Sequence, residues 1–580
     1  MDVRGESTVD WKFLDCDPEQ RDLLSQKLGI SKVVSTILQQ RGLNRITDAE
    51  RFISPKMSDF SDPFLLKNMH QAVELLDFHV GQNSPIAIIG DYDVDGITSI
   101  VLLIDILQKF GANPQYFVPK RFTEGYGMSK EIVGRMMKKL TPRLVIALDC
   151  GTNSLQEIEM LRKKDIDVLV IDHHILTRGP IPDAIIINPH LFDSNPSLQA
   201  MCAVALTFKF AHAFLKYRRT RGDELAFTVR LKSYFDIIAL GIIADMVPVR
   251  YENRIIAKYG LQSFAKVRRP GLDALCTISN IPPGVPLNHA DVSFKLAPRI
   301  NVSGRLSDAI LPIELLRSNN LSDAMVQAKQ IDRMNRERQR LEHIVVDEAK
   351  KIIAAHYRHD PGIVLFNPKW HSGVVGIAAG KISRTYNRST IILALERGLA
   401  KGSGRSVGDH LVEVLAECAS YVDVWGGHKM AIGISLKPEN VDAFRIAFNR
   451  AIEHHHRSTQ AAPEAIEIAH TLNVNDISDA FVQELERCLH PYGQENDEPI
   501  FCIRNVRFPN CMEVFGPEKR HFRFWVARHN MPWLTGIAWE MASRIPEQNR
   551  SVDILVTIGY DTWNNENFIL LKLVDWKYST

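Results

Sequence analysis

SPIAIIGDYDVDGITS, residues 84–99, decides the fold. A short apolar run, PIAII, stops at Gly90, and aspartates follow at alternate positions, Asp91, Asp93 and Asp95. Beyond them ITSIVLLIDILQKF (97–110) reads as a long helix. A buried strand feeding such a helix is the repeating unit of a parallel α/β sheet. If Asp91 to Asp95 prolong the strand, three carboxylates project from one face about 6–7 Å apart. Two bare carboxylates at that spacing repel by about 2–3 kcal/mol at an effective dielectric of about 20. The cluster therefore asks for positive charge from elsewhere.

Three further apolar runs answer it. LVIALDCGT places Asp149 just past a strand, DVLVIDHHI places Asp172, His173 and His174 past another, and DIIALGIIADMVPV places Asp245 at the end of a third. The carboxyl ends of parallel strands share one edge, where ligands bind. Asp93, Asp95, Asp149, His173, His174 and Asp245 are thus expected in one crevice. A single aspartate after a strand is usually a helix cap; four strand ends with adjacent histidines are not. A mixed carboxylate and imidazole set with more than four ligands suits two divalent ions, Mn²⁺ or Mg²⁺, better than one tetrahedral zinc. A calcium loop starting at Asp91 fails, because its twelfth position is Leu102 rather than glutamate. An aspartyl-nucleophile D-x-D-x-T site fits poorly: Ile97 lies four residues past Asp93, and Thr98 comes one residue late.

Composition sets the frame. A chain of 580 residues is too long for one core. The net charge of +2 excludes a polyanion magnet, so any nucleic-acid surface is local. Basic runs at 216–221, 266–269 and 333–340 read individually as solvated faces. Eight scattered cysteines with no CxxC pair argue against a zinc ribbon or disulfide framework and for a reducing, cytoplasmic home. No signal peptide and no bilayer-length apolar run is read from the sequence.

The chain divides into a helical N-terminal region (1–80), an α/β domain (81–320), a connecting helix (321–357), a second α/β domain (358–457) and a strand-rich domain (466–580). Ser322 is the expected cap of the connecting helix, read as a strut about 50 Å long between domains rather than a packed core helix. The segment His454–Ala465 reads as a linker, its three histidines as a helix end rather than a metal site. The last domain, with five or so strands, suits a small barrel of the OB kind.

DYDVDG, LDCGT, IDHH and ADMVP resemble, in order, the four motifs of the DHH phosphoesterase superfamily, named for the Asp172-His173-His174 triplet. Within it the chain is most similar to the single-strand-specific 5′→3′ DNA exonucleases of bacteria, over nearly its whole length. The segments carrying this include LQQRGLNRITDAERFISP (38–55), VPKRFTEGYG (118–127), LAPRINVSGRLSDA (296–309), WHSGVVGIAAGKIS (370–383), GSGRS (402–406), GGHKMAIG (426–433) and LHPYGQENDEPIF (489–501). The sequence departs from the family pattern at CAVALTFK (202–209), which has fewer glycines, and at Ile432, where alanine is common.

The resemblance implies a DHH parallel-sheet catalytic domain, a long helix, a DHHA1 α/β domain and a C-terminal OB-like β-barrel. It implies hydrolysis of single-stranded DNA to 5′ mononucleotides by two-metal-ion catalysis in recombination and repair. Asp93, Asp95, Asp149, His173 and Asp245 are the implied metal ligands, with Asp149 bridging. His174 and Asp91 are implied beside the metals as catalytic groups, and Asp172 as a supporting residue. Ser403 and Arg405, with Arg121, are implied to hold a 5′ phosphate, the glycines of GSGRS letting backbone amides approach it. His428 is implied near the nucleotide, Arg299 and Arg305 along the strand, and Tyr126 stacked on a base. A single-strand-binding protein and a helicase are implied partners of a monomer. Two other readings stand: a DHH/DHHA1 phosphodiesterase for short oligonucleotides or cyclic dinucleotides, and a non-catalytic single-strand-binding scaffold.

Overall fold

The computed structural model describes residues 9–579 apart from Phe122, Arg178, Val267, Ser307, Asp308, Asn549 and residues 459–464, 509–511 and 564–565. Its first strand, β1 (Asp10–Phe13), lies parallel to Ala465–Ile468. The helices Pro18–Leu28, Lys32–Gln40 and Ile46–Ile53 follow that lead, burying Leu24, Val34, Ile37 and Phe52 in one core with Leu485, Phe501 and Trp576. Helix Met69–Gly81 instead gives Met69, Val73 and Leu76 to the core of the first α/β domain. Residues 1–80 therefore serve two cores, where the sequence suggested one helical region.

The first α/β sheet comprises β2 (Ile86–Gly90), β3 (Gln115–Phe117), β4 (Leu144–Leu148), β5 (Asp167–Ile171) and β6 (Ile185–Ile187), all parallel, in the order β3-β2-β4-β5-β6. Every residue of β2 and β4 is buried. Uninterrupted apolar runs are the signature of strands covered on both faces. The chain leaves β2 for β3 on one side and returns to β4 on the other, so a topological switch point opens between β2 and β4.

DIIALGII is not a strand. It lies in helix Phe235–Ala244, packed against helices Val94–Lys109 and Tyr251–Ser263. A helix enclosed on all sides carries no polar stripe, so its sequence looks like a buried strand. Gly241 permits the close approach, since a Cβ there would sit 2.6 Å from Val204 Cγ1 and 2.8 Å from Thr98 Oγ1.

The connecting helix spans Leu321–His356 and is capped by Asn320, whose side chain accepts from Asp323 N at 2.8 Å, rather than by Ser322. Nor is it a bare strut. Ala324, Ala328 and Ile331 join the core of the first α/β domain, whereas Val345, Ala349 and Ile353 join that of the second. There β7 (Ile363–Asn367), β8 (Thr390–Glu396), β9 (Leu399–Arg405), β10 (Val424–His428) and β11 (Ala431–Leu436) form a mixed sheet ordered β10-β11-β9-β8-β7. His454–His456 lie inside helix Val441–Ser458, His454 meeting Glu417 at 3.1 Å and His456 meeting Asp409 at 2.9 Å. Residues 459–464 of the expected linker fall outside the described residues.

The C-terminal domain adds β12 (Ala465–Ile468), β13 (His470–Leu472), β14 (Phe501–Val506), β15 (Glu513–Phe515), β16 (His521–Arg528), β17 (Met531–Ala538), β18 (Val552–Trp563) and β19 (Glu566–Tyr578). All but β12 form one sheet, ordered β13-β14-β18-β19-β17-β16-β15. Arg254, buried on helix Tyr251–Ser263, ties this domain to the first α/β domain. Its guanidinium donates to the carbonyls of Phe52, Cys488, Leu489, His490 and Pro491 at 2.7–3.3 Å and lies 3.6 Å over the Phe52 ring. One turn on, Lys258 donates to Ile53 O at 2.6 Å and Arg487 O at 3.0 Å. Both cations thus sit at the carboxyl ends of helices Ile46–Ile53 and Asp479–Leu489, where exposed carbonyls favour positive charge.

Candidate metal centre

The aspartates after β2 do not run on as a strand. The chain turns, and Asp93 caps helix Val94–Lys109 by accepting from Gly96 N at 3.1 Å. Glycine is required at 96, because a Cβ there would lie 2.5 Å from Asp91 O. The carboxylates therefore converge through a tight strand-to-helix turn rather than by alternation along an extended ribbon. Asp149 follows β4 in the left-handed region at φ 59°, a conformation that costs a non-glycine residue energy and is held by its surroundings. Asp245 arrives as the cap at the carboxyl end of helix Phe235–Ala244, so it reaches the crevice from a helix rather than from the expected strand.

These side chains meet. His173 Nε2 lies 3.3 Å from Asp149 Oδ1, 3.6 Å from Asp245 Oδ2 and 3.8 Å from Asp95 Oδ2. Three overlapping ligand groups result: Asp149 with His173 and His174, Asp95 with His173 and Asp245, and Asp91 with Asp93 and Asp149, the ligand atoms of each within 4.8 Å of one another. Asp91 Oδ2, Asp149 Oδ1, His173 Nε2 and Asp245 Oδ2 are all buried without a hydrogen-bond partner. Buried polar atoms are seldom left so. The donor set fits divalent cations, which would satisfy these atoms together.

Electrostatics agree. Burial, then the charge of Asp93, pushes the Asp91 and Asp149 carboxyls well above their ordinary range and Asp95 to about 7. Burial and Asp95 push Asp245 to about 9. Burial lowers His173 to about 4, keeping its imidazole neutral and able to ligate. Asp95 is anchored by helix Ala203–Thr220, accepting from Ala203 N at 2.7 Å and Val204 N at 2.8 Å. Asp172 is fully buried, and it accepts from His174 Nδ1 at 2.7 Å, His173 N at 2.8 Å and Thr152 N at 3.0 Å. It orients the histidine pair, as supporting residues of metal sites do.

The implied substrate residues divide. Arg121, Arg305 and Arg405 lie close enough to repel one another: burial, followed by Arg121, lowers both Arg305, to about 10, and Arg405. Among the described residues no carboxylate pairs with any of the three. Ser403 and Arg405 lie on β9 beneath helix Ser372–Tyr386, where Gly376 makes room; a Cβ there would be 3.1 Å from Ser403 Oγ. GSGRS does not offer its backbone amides, however. It sits in a strand flanked by β8 and β11, so its amides belong to the sheet and only side chains face a ligand. Arg299 is held by Asp332 at 3.0 Å, an ion pair to the connecting helix rather than a free strand contact. His428 ends β10 at an exposed hairpin tip. The Tyr126 hydroxyl, expected only beneath a base, lies 2.9 Å from His174 Nε2.

Sequence reading passed over Tyr92, Arg338 and Phe294. Tyr92 lies under Arg121, 5.5 Å from ring to guanidinium, and against Gly304. Arg338 belongs to the 333–340 run read as solvated, yet its side chain is 11% exposed against 77% for Arg336. Its signal was helical spacing from buried Ile331 and Asn335 to buried Glu342 and Val345. With Met246, Phe294, Arg305 and Arg384 it lines a groove of about 590 Å³ running from beside Asp245 to Tyr492 of the C-terminal domain. Phe294, in a π-helical turn, is 78% exposed there.

Comparison with known proteins agrees with this layout. The DHH family, N-terminal domain, matches residues 85–242; the DHHA1 domain, 359–454; and the RecJ OB domain, 468–575. The chain is 32% identical over 577 residues to the single-stranded-DNA-specific exonuclease RecJ of Bacillus subtilis (strain 168), covering 98% of this chain and 71% of that protein. It is 33% identical over 456 residues to the protein of the same name from Salmonella typhimurium, covering 75% and 78%. The crystal structure of RecJ in complex with Mn²⁺ from Thermus thermophilus superposes with a TM-score of 0.82 at 24% identity, over all of this chain and 80% of that one. The crystal structure of exonuclease RecJ bound to manganese gives 0.58 at 27% identity, over 68% of this chain and 97% of that one. With its three domains matched in order and near-complete alignment to such relatives, the chain belongs to the RecJ family.

Proposed function

We propose that the protein is a metal-dependent exonuclease specific for single-stranded DNA, degrading it 5′→3′ to mononucleotides in recombination and repair. One observation carries the reading: four buried, unpartnered ligand atoms converge at the switch point, with an arginine group lacking carboxylate partners among the described residues. A cation-hungry centre beside an anion-hungry one suits a phosphodiester. The relatives are named as exonucleases of this specificity, and one solved relative is named as bound to manganese.

Asp93, Asp95, Asp149, His173 and Asp245 would hold two Mn²⁺ or Mg²⁺ ions, Asp149 between them. When bound, such a pair supplies an activated water and neutralises charge on the scissile phosphate. His174, fixed by Asp172, faces the phosphate, and Asp91 supports the ligands from below, accepting from Gly127 N at 3.4 Å. Arg121, Arg405 and Ser403 take the 5′ phosphate, and Arg305 grips the strand within the groove. The groove and the C-terminal domain favour a long strand over the short oligonucleotides or cyclic dinucleotides of the rival reading. The intact ligand set favours catalysis over a binding scaffold.

No helix among the described residues is long and apolar enough to cross a membrane. A cytoplasmic, monomeric enzyme working with a single-strand-binding protein and a helicase completes the reading. The test is incubation of single- and double-stranded DNA, labelled at either end, with Mn²⁺, Mg²⁺ or chelator. Mononucleotide release from the 5′ end of single strands, abolished by chelator, is expected. Cleavage only of dinucleotides, or none, overturns it.

A further inference from the structure

Tyr126 sits between two glycines in left-handed conformations, Gly125 at φ 83° and Gly127 at φ 62°. These turns fix the tyrosine over His174. Gly127 cannot easily be replaced, since a Cβ there would meet Cys150 Cβ at 3.0 Å. The tyrosine hydroxyl lies 2.9 Å from His174 Nε2, and on the far side of the imidazole Nδ1 lies 2.7 Å from Asp172 Oδ1. Asp172 already accepts three backbone amides, those of Thr152, His173 and His174. Those three groups are all donors, so Asp172 is held as an acceptor. Nδ1 therefore carries its hydrogen toward Asp172, and Nε2 pairs with the Tyr126 hydroxyl, accepting from it when the ring is neutral and donating to it when the ring is protonated. The phenol ring itself stays open: it packs edge-on to Tyr92 at 6.2 Å and remains 51% exposed.

We infer that Tyr126 is a positioning residue for His174. Its hydroxyl and Asp172 grip opposite nitrogens of the imidazole and fix its plane beside Asp149, whose Oδ1 lies 3.9 Å from His174 Nδ1. The hydroxyl thus sets the orientation of the histidine that faces the scissile phosphate. This role rests on the nuclease reading for what His174 serves, though not for the hydrogen bond itself.

Tyr126→Phe keeps the ring and removes only the hydroxyl, whereas Tyr126→Leu removes both. On 5′-phosphorylated single-stranded DNA with Mn²⁺, Tyr126→Phe is expected to lower kcat by about 10–100-fold with KM within about twofold of the parent. Tyr126→Leu lowers kcat likewise and raises KM as well. Calorimetric titration with Mn²⁺ alone gives the same affinity for parent and Tyr126→Phe. In ¹⁵N-histidine-labelled, metal-free protein, the Nε2 resonance that His174→Gln deletes shifts in Tyr126→Phe. Unchanged kcat in Tyr126→Phe, a loss confined to KM, or an unmoved Nε2 resonance overturns the inference. A parent protein inert on every strand overturns the nuclease reading instead, and the ¹⁵N signal still decides the hydrogen bond.

Discussion

Asp149 Oδ1 lies 3.3 Å from His173 Nε2, and neither atom has a hydrogen-bond partner. Two acceptors this close, both buried, are stable together only with a cation or a proton between them. Asp149→Ala is therefore expected to lower hydrolysis of single-stranded DNA by about 10³-fold or more. It leaves the melting temperature of chelator-treated protein equal or higher, because a buried carboxyl disfavoured by burial and by the charge of Asp93 goes with it. A variant that digests single strands as fast as the parent contradicts the assignment.

The pH dependence of metal stabilisation has a fixed sign. The folded metal-free protein holds Asp95 at about 7 and Asp245 at about 9, both raised by burial above the ordinary 3.8. A raised carboxyl favours the folded state while protonated, and that contribution is lost as pH climbs through the folded values. Between about pH 5 and 9 the metal-free protein loses stability on this account, and a bound cation, which needs the ionised form, reverses the loss. Melting curves with Mn²⁺ and with chelator should diverge as pH rises. A gap that narrows from pH 5 to pH 9 refutes this.

Arg254 satisfies five carbonyls of two other regions of the chain. Arg254→Met strands them and is expected to cost about 3–5 kcal/mol, the penalty for breaking a buried charged network. Denaturant unfolding measures the loss. Limited proteolysis should release residues near the N-terminus first, because helix Ile46–Ile53 loses its contact at Phe52.

Arg405 has no carboxylate partner among the described residues and sits beside Ser403 under Gly376. Arg405→Ala should slow degradation of 5′-phosphorylated strands by about 10–100-fold, the worth of a charge-assisted contact of about 1.5–3 kcal/mol. Strands ending in a 5′ hydroxyl should be affected much less. Equal slowing of both would place Arg405 elsewhere along the strand.

Much of the centre was legible because its physics is local. β2, β4 and β5 are walled by helices, so their sequences are unbroken apolar runs, and the residues that follow them fall at one edge. Asp245 was placed in the right crevice through the wrong element, since a fully enclosed helix and a buried strand share one composition. The Asp91–Asp95 turn was read as a ribbon because alternation ignores what Gly96 makes possible. The glycines of GSGRS were expected to let backbone amides approach a phosphate, whereas they serve close packing within a sheet, Ile432 filling the space above Gly404. Arg254 and Arg338 gave no sign of burial beyond helical phase. The partners of Arg254 lie some two hundred residues away, which no local pattern encodes, whereas Arg338 pairs with Glu342 one turn along its own helix.

The Leu321–His356 helix contains neither glycine nor proline and is rooted in two separate cores. Such a rod has no joint. The spacing of the two cores it joins is accordingly set once, when the chain folds, as a ruler sets the distance between its marks.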